Sequence, residues 1–252
     1  GVQMQSVGEV MSIGRNFRES IQKAFRSLEV GLDGLEPKVS NNSDPNIKRS
    51  RPLDLNSLRI PTSFRLLKIR EAFTKGESLE RLYELTNIDP WFLNQIKIIS
   101  SFDEKYSLKQ LKVNGFSDAQ IGKMMKKSML EVRTLRKKEG ITPVFKVVDT
   151  CAAEFVAKTP YCYSSYEQYN EITPLEGKKV IVLGGGPNRI GQGIEFDYCC
   201  VQAVFGLRDQ GYKVIMVNCN PETVSTDFDT VDRLYFEPVT FEDVFNIIDF
   251  EK

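Results

Sequence analysis

The alternation of apolar and polar residues along the 252-residue chain divides it into three parts. In the first part, residues 6–14 alternate small or polar with apolar side chains, which predicts a strand. Asn16, followed by Glu19 three residues later, is an N-cap that predicts a helix over residues 20–28. One strand and one helix cannot bury a core of their own, so we expect this part to be the end of a larger domain.

The second part is predicted to be helical. Residues 36–57 are rich in Pro, Asn and Ser, which indicates a linker before it. From residue 58 to residue 140, apolar residues recur at helical spacing, and start signals mark several short helices. These signals are Asp89 followed by Pro90, and three capping boxes that pair Ser107 with Gln110, Ser117 with Gln120, and Ser128 with Glu131.

The third part has the pattern of a βαβ unit. It comprises a strand over 178–183, a glycine-rich turn over 184–193, a helix over 194–210, strands at 214–217 and 234–236, and a helix that starts at Thr240. This spacing predicts parallel strands joined by a right-handed crossover. Three parallel strands would leave an unpaired edge, so we expect the chain to be a piece of a larger protein.

Composition excludes several classes of function. Lys plus Arg and Asp plus Glu number 34 each, so no net charge attracts the chain to nucleic acid or to an anionic membrane. The chain has no histidine, which excludes Ser-His-Asp triads, Cys-His pairs and histidine acid–base catalysis. The five cysteines show no C-x-x-C spacing, and no apolar run approaches the roughly 20 residues that span a membrane. We therefore expect a soluble, cytoplasmic protein.

The glycine turn fits neither familiar phosphate-binding motif. Arg189 stands where a dinucleotide fingerprint needs its third glycine, and Gln192 and Gly193 stand where a Walker loop needs Lys and Ser or Thr. Glycines before a helix favour an anion at the carboxyl edge of the sheet, although a tight turn that binds nothing is the alternative. The glycines concerned are Gly184, Gly185, Gly186 and Gly191.

Two carboxylates flank the same edge of the predicted sheet. Glu195 lies just inside the helix after the turn, and Glu222 lies in the loop after the next strand. Because the carboxyl ends of adjacent parallel strands lie together, these groups are expected to converge. Each has a structural alternative as a local cap, since the helix dipole stabilises an acidic first turn. The second strand ends in Asn218 instead of an acidic residue, which counts against binding of NAD.

Long ordered motifs in the chain carry a family resemblance. They are S-V-G-E-V-M-S-I-G-R, L-T-N-I-D-P-W-F-L, V-D-T-C-A-A-E-F, G-G-G-P-N-R-I-G-Q-G-I-E-F-D-Y-C-C, V-N-C-N-P-E-T-V-S-T-D-F-D-T and R-L-Y-F-E-P-V. Together they resemble the large chain of bacterial-type carbamoyl-phosphate synthase over essentially everything except the linker.

The resemblance implies a multidomain fold with an all-α helical domain and a Rossmann-like, three-layer pre-ATP-grasp βαβ piece, preceded by a short α+β tail of an ATP-grasp domain. The implied segments are the tail of the first, carboxyphosphate ATP-grasp domain (1–38), a linker (39–57), a helical oligomerisation domain (58–150), a connector (151–176) and a truncated pre-ATP-grasp domain of the second, carbamoyl phosphate half (177–252).

The resemblance also implies an activity for the parent enzyme. That enzyme is a ligase that makes carbamoyl phosphate from bicarbonate, glutamine-derived ammonia and two ATP, with Mg or Mn. Its partners are a small glutamine amidotransferase subunit and further copies of the large chain. The nucleotide- and metal-binding residues of both halves fall outside this sequence, so we expect no catalytic residue, metal ligand or cofactor here, and no activity of this chain alone.

In the family, carbamate crosses through the protein from one half to the other. By resemblance, Arg189, Gly193, Glu195 and Glu222 line the second half's side of this passage, and Glu9 is a candidate on the first half's side. Glycine leaves room there, and the carboxylates are expected to hold ordered water and accept hydrogen bonds.

Two other features have competing interpretations. Residues 115–140 resemble two helices around a turn with seven basic side chains, so the alternative function is a helix-turn-helix nucleic-acid reader fused to a nucleotide-binding βαβ domain. Its apolar residues make a solvated basic face the favoured interpretation. Trp91 and Phe92 are candidates for an oligomer interface, but a place in the core is favoured.

Overall fold

The computed structural model describes residues 8–36, 53–156 and 161–252. Its helical part contains a short 3-10 helix at Leu55–Arg59 and seven α-helices: α1 (Phe17–Ser27), α2 (Arg65–Thr74), α3 (Leu79–Thr86), α4 (Pro90–Ser101), α5 (Leu108–Val113), α6 (Asp118–Met125) and α7 (Met129–Lys138). Its α/β part contains β1 (Val144–Val147), β2 (Tyr161–Ser165), β3 (Lys179–Leu183), α8 (Ile194–Asp209), β4 (Lys213–Asn218), a 3-10 turn at Val224–Thr226, β5 (Arg233–Phe236) and α9 (Phe241–Glu251).

The predicted helix starts are confirmed. Asn16 caps α1 by accepting the N–H of Glu19 at 2.9 Å, and Asp89 caps α4 with Pro90 in the first turn. All three capping boxes form, at the starts of α5, α6 and α7. These motifs are predictable because each one pairs backbone groups with side chains only three residues away.

The sheet has five strands, two more than predicted. Its order is β1-β2-β5-β4-β3, with β1 antiparallel to β2 and the other pairs parallel. Strand β1 lies within 58–150, predicted to be helical, and β2 lies within 151–176, predicted to be a connector. Both were missed because four or five residues of mixed polarity carry little pattern, whereas the pairing of β2 with β5 and of β1 with β2 is set by the fold.

The two faces of the sheet in the α/β part pack against different helices. Val214 and Met216 of β4 pack with Val204 of α8 on one face of the sheet. The alternating residues of the same strand pack with Ile247 of α9 on the other face. The sheet is therefore covered by one helix on each side.

The predicted strand over residues 6–14 is wrong for the part that the structure describes. Residues 8–14 form no strand, although Met11 donates its N–H to the carbonyl of Cys219 at 2.7 Å. Met11 and Ile13 pack on the α8 face of the sheet, so the alternating pattern reflects packing without a ladder. Residues 37–52 of the predicted linker lie outside the described residues. No helix in the described ranges is long and apolar enough to cross a membrane.

A cluster of charged side chains, none more than 7% exposed, joins the helical part to the α/β part. We call it the buried charge cluster; it contains Lys23, Arg26, Lys112, Arg136, Asp118, Glu237, Glu242 and Asp243. Its ion pairs include Lys23–Glu237 at 2.7 Å, Arg26–Asp243 at 3.2 Å, Lys112–Glu242 at 2.5 Å and Arg136–Asp118 at 2.9 Å. All four cations and one carboxylate come from the helical part, and three carboxylates come from beyond β5.

The pKa values of the two glutamates in the buried charge cluster, Glu242 and Glu237, shift in opposite directions. Burial alone would raise the pKa of Glu242, but Lys112, Arg26 and Arg136 outweigh it and lower the pKa to about 2. Burial raises the pKa of Glu237, with Lys23 opposing the shift and Asp243 adding to it. One carboxylate oxygen of Glu237 has no hydrogen-bond partner among the described residues. Glu242 is therefore the better-compensated charge.

Candidate functional site

The glycine turn connects β3 to α8 at the carboxyl edge of the sheet. Gly184 donates its N–H to the carbonyl of Val217 at 2.7 Å, and a side chain at this position would press on Asn218, whose Cβ would lie 2.7 Å away. Gly186 and Gly191 have φ values of +87° and +96°, a region that L-residues with side chains rarely adopt. These glycines are therefore required by backbone shape and close packing.

The turn is closed by hydrogen bonds among its own residues and by hydrogen bonds that it donates to Glu29. Gln192 accepts the backbone N–H of Asn188 with its side-chain oxygen at 2.8 Å. The amide nitrogens of Gln192 and Asn188 donate to the two carboxylate oxygens of Glu29, at 2.6 and 3.0 Å. Sequence reasoning missed Glu29, because it lies 159 residues before Asn188 and no local motif links them.

The segment before α1 lies directly on the turn. Glu9 donates its N–H to the carbonyl of Pro187 at 3.2 Å, and the side chain of Asn220 donates to the same oxygen at 2.5 Å. Gly8 lies so close to the backbone of Asn188 and Arg189 that no side chain would fit there. Three segments distant in sequence therefore meet at one turn.

The structure places the predicted site residues around this junction. Gly193 is the N-cap of α8, and a Cβ at this position would meet the carboxylate of Glu195. Glu9 and Glu222 belong to the two segments that bind Pro187, and Arg189 lies within the turn. The four charged side chains are exposed, and none of the ion pairs within the described residues joins any two of them.

The anion expectation is weakened by the position of Glu195. Its carboxylate lies next to Gly193, at the start of α8, where an incoming phosphate would have to bind. A second negative charge beside it is unfavourable, since the helix N-terminus already faces a carboxylate. The arrangement suits neutral or hydrogen-bond-donating molecules better than phosphate.

The thiol of Cys219, directly after β4, is buried. Burial raises the pKa of Cys219 to about 12, so the thiol stays protonated at neutral pH. Its sulfur contacts the carbonyl oxygen of Ser27 at 3.8 Å. Cys219 therefore acts as a small buried residue.

Four of the seven basic side chains in 115–140 make ion pairs with carboxylates of the same chain. Arg133 and Lys137 pair with Asp249 of α9 at 2.6 and 2.7 Å. Arg136 is buried against Asp118, and Lys123 pairs with Asp33 and Glu36. These contacts count against the helix-turn-helix alternative, whereas the exposure of five of the seven basic side chains agrees with the favoured solvated basic face.

The favoured core position of Trp91 and Phe92 is wrong, because their side chains are 54% and 43% exposed. Their rings lie edge-on to each other at 5.0 Å, and both contact the ring of Phe17 in α1, at 5.6 and 5.1 Å. We call these three residues the aromatic patch. Its exposure keeps the interface alternative open.

Comparison with known proteins agrees with both parts of the fold. Residues 9–140 match the family described as carbamoyl-phosphate synthetase large chain, oligomerisation domain, and residues 176–252 match the carbamoyl phosphate synthase preATP-grasp domain. The chain is 52% identical to the carbamoyl phosphate synthase large chain of Archaeoglobus fulgidus over 100% of its own length. It is 50% identical to that of Pseudomonas aeruginosa over 99% and 51% identical to that of Deinococcus radiodurans over 100%.

The chain spans about a quarter of the length of these relatives, 24% for the first two and 25% for the third. The oligomerisation match alone covers more than half of the chain, and the glycine turn lies inside the second match. The chain therefore belongs to the carbamoyl-phosphate synthetase large chain family.

Proposed function

We propose that this chain is the part of a cytoplasmic carbamoyl phosphate synthase large chain that links its two synthetase halves. The whole enzyme would make carbamoyl phosphate from bicarbonate, ammonia supplied by a glutamine amidotransferase subunit, and two ATP. Identity of about 50% over the full chain supports this assignment. The match of 9–140 and 176–252 to two consecutive regions of that family supports the linking position.

The chemistry with ATP and Mg or Mn would belong to the rest of the enzyme. Within residues 8–36, 53–156 and 161–252, no group of three or more Cys, Asp or Glu side chains is arranged to hold a metal ion. The residues present therefore do not fit a metal site, and no catalytic step is assigned to them. Their proposed roles are to guide the intermediate and to assemble the enzyme.

The contact between residues 8–9 and the glycine turn carries the proposal that a carbamate passage runs here. Glu9, near the start of the chain, and Asn220, in the third part, both donate a hydrogen bond to the carbonyl of Pro187. The candidate lining residues Arg189, Gly193 and Glu195 follow Pro187 in the turn and at the start of α8, Glu222 lies two residues after Asn220, and Glu9 lies on the opposite segment. Carboxylates and a guanidinium at such a junction provide acceptors and donors for carbamic acid and ordered water.

The substitution Gly193→Phe tests the passage. The backbone at this position has a φ of −115° and a ψ of 160°, which any L-residue adopts, so the variant should fold. The new ring would displace Glu195 and fill the space in front of α8. In the full-length enzyme, we expect less carbamoyl phosphate per ATP consumed, because carbamate that cannot cross is lost to solvent.

Gly206→Phe is the matched control, since it makes the same change in α8 at a position with open space around it. Its yield per ATP should equal that of the parent enzyme. An unchanged yield in Gly193→Phe would show that the passage does not run past this glycine.

The aromatic patch supports a second role in self-association. Phe17, Trp91 and Phe92 form a rigid apolar surface on α1 and α4, within the region that matches the oligomerisation domain. Aromatic residues of this kind dominate the binding energy of protein interfaces. We propose that this surface contacts a second copy of the chain.

A further inference from the structure

We infer that Glu29 is a positioning residue for the glycine turn, an inference that rests on the proposed passage. Its carboxylate binds both ends of the segment 188–192, through the amide nitrogens of Asn188 and Gln192. Arg189 lies between these two anchors, and Gly193 follows directly after the second one. The residues proposed to line the passage are thus held by a glutamate from the first part of the chain.

The backbone at Glu29 indicates that its side chain has a specific task. Glu29 has a φ of +54° and follows Leu28, the C-cap of α1. Helices commonly place glycine at this position, because a side chain in the left-handed region costs free energy. The two hydrogen bonds that the carboxylate of Glu29 accepts from the turn explain why a glutamate occupies this strained position.

The helix that carries Glu29 is itself fixed to the α/β part. Lys23 and Arg26 of α1 are buried in pairs with Glu237 and Asp243. A carboxylate that extends from the end of this anchored helix has a defined position relative to the sheet. Glu29 therefore holds the turn against the segment of residues 8–11, where the two sides of the passage meet.

The hydrogen-bond pattern allows a charge-swap experiment. In Glu29→Gln, the new amide nitrogen at position 29 faces the amide nitrogen of Gln192. In Gln192→Glu, the new carboxylate at position 192 faces the carboxylate of Glu29. Each single variant loses a charge-assisted hydrogen bond. The double variant Glu29→Gln/Gln192→Glu restores every contact, because the new amide donates to the new carboxylate, which still accepts the N–H of Asn188.

Hydrogen exchange in the 252-residue chain tests the positioning without reference to activity. We expect amides of residues 188–193 to exchange about tenfold faster in each single variant and at the parental rate in the double variant. Glu139→Gln, the same change at an exposed position, is the control and should leave exchange unchanged. Parental exchange in both single variants, or fast exchange that the double variant does not restore, would overturn the inference.

The yield of carbamoyl phosphate per ATP in the full-length enzyme tests the consequence for the passage. Both single variants should lower the yield, and the double variant should restore it. If Gly193→Phe lowers the yield while the Glu29 and Gln192 variants keep it, the positioning role is wrong and the passage stands. If Gly193→Phe keeps the yield, the passage is wrong, and the exchange data alone decide whether Glu29 holds the turn.

Discussion

Lys112 of α5 is the position at which the buried charge cluster can be tested most directly. Its ammonium lies 2.5 Å from Glu242 and 3.1 Å from Asp118, and it donates to the carbonyl of Phe116 at 2.7 Å. Lys112→Met keeps an unbranched side chain of similar length and removes the charge. Both carboxylates then stay buried with one partner fewer, which typically costs about 3–5 kcal/mol.

The lowered pKa of Glu242 gives a second magnitude, for the attraction of Lys112, Arg26 and Arg136 together, net of the cost of burial. Although burial would raise this pKa, Lys112 is first among the cations that lower it from 4.5 to about 2. At about 1.36 kcal/mol per pH unit, this difference corresponds to about 3 kcal/mol of stability. Because the folded-state pKa is depressed, that stability is present above about pH 4.5 and is lost as the pH falls towards 2.

Urea unfolding followed by circular dichroism measures both quantities. At pH 7 we expect Lys112→Met to lower the free energy of unfolding by about 3–5 kcal/mol, with the gap to the parent chain narrowing below about pH 4.5. Lys75→Met is the control, because Lys75 pairs with Glu71 at the exposed end of α2, where ion pairs contribute about 0–1 kcal/mol. A loss no larger than that of the control, or a gap that widens on acidification, would refute the account of the cluster.

The remaining predictions concern the turn and the aromatic patch. Gly184→Ala should lower the free energy of unfolding by about 1–3 kcal/mol, because the new Cβ would overlap Asn218. Gly185→Ala, where the new Cβ has more room, should change the free energy of unfolding by less than about 1 kcal/mol. Urea unfolding of both variants checks this, and equal effects would contradict it. In sedimentation velocity the parent chain should form concentration-dependent dimers, and Trp91→Ser should weaken them at least about tenfold. Phe228→Ser, an exposed change in the α/β part, should leave them unchanged, and a parent that stays monomeric would count against the patch.

Predictions from the sequence succeed where the determinants are local. The capping boxes at Ser107, Ser117 and Ser128 form as predicted. The third part also has the predicted strand, turn and helix, because apolar runs and glycines specify them within a few residues. The placement of Glu9, Arg189, Gly193, Glu195 and Glu222 in a passage stays a prediction.

The failures concern residues whose roles depend on distant partners. Strand β2 has the sequence Y-C-Y-S-S, and only its pairing with β5 makes it a strand. Lys23 and Arg26 are charged residues on a helix, a pattern typical of a solvated face, yet they are buried by carboxylates more than 200 residues later. In the sequence, Glu29 has the pattern of an ordinary surface residue, and only the folded structure shows its contact with the turn.

The long-range pairs of α1 constrain the order in which the chain folds during synthesis. Lys23 and Arg26 are separated from Glu237 and Asp243 by 214 and 217 residues. At about 5–20 residues per second, a ribosome needs about 10–40 s to make the partners of these two cations. Helices α2–α7 are made long before that time, so the apolar face of α1 can pack on them before its charged partners exist. The docking of Lys23 and Arg26 on the α/β part follows only after β5 and the start of α9 are made, which is slow for contacts so distant in sequence.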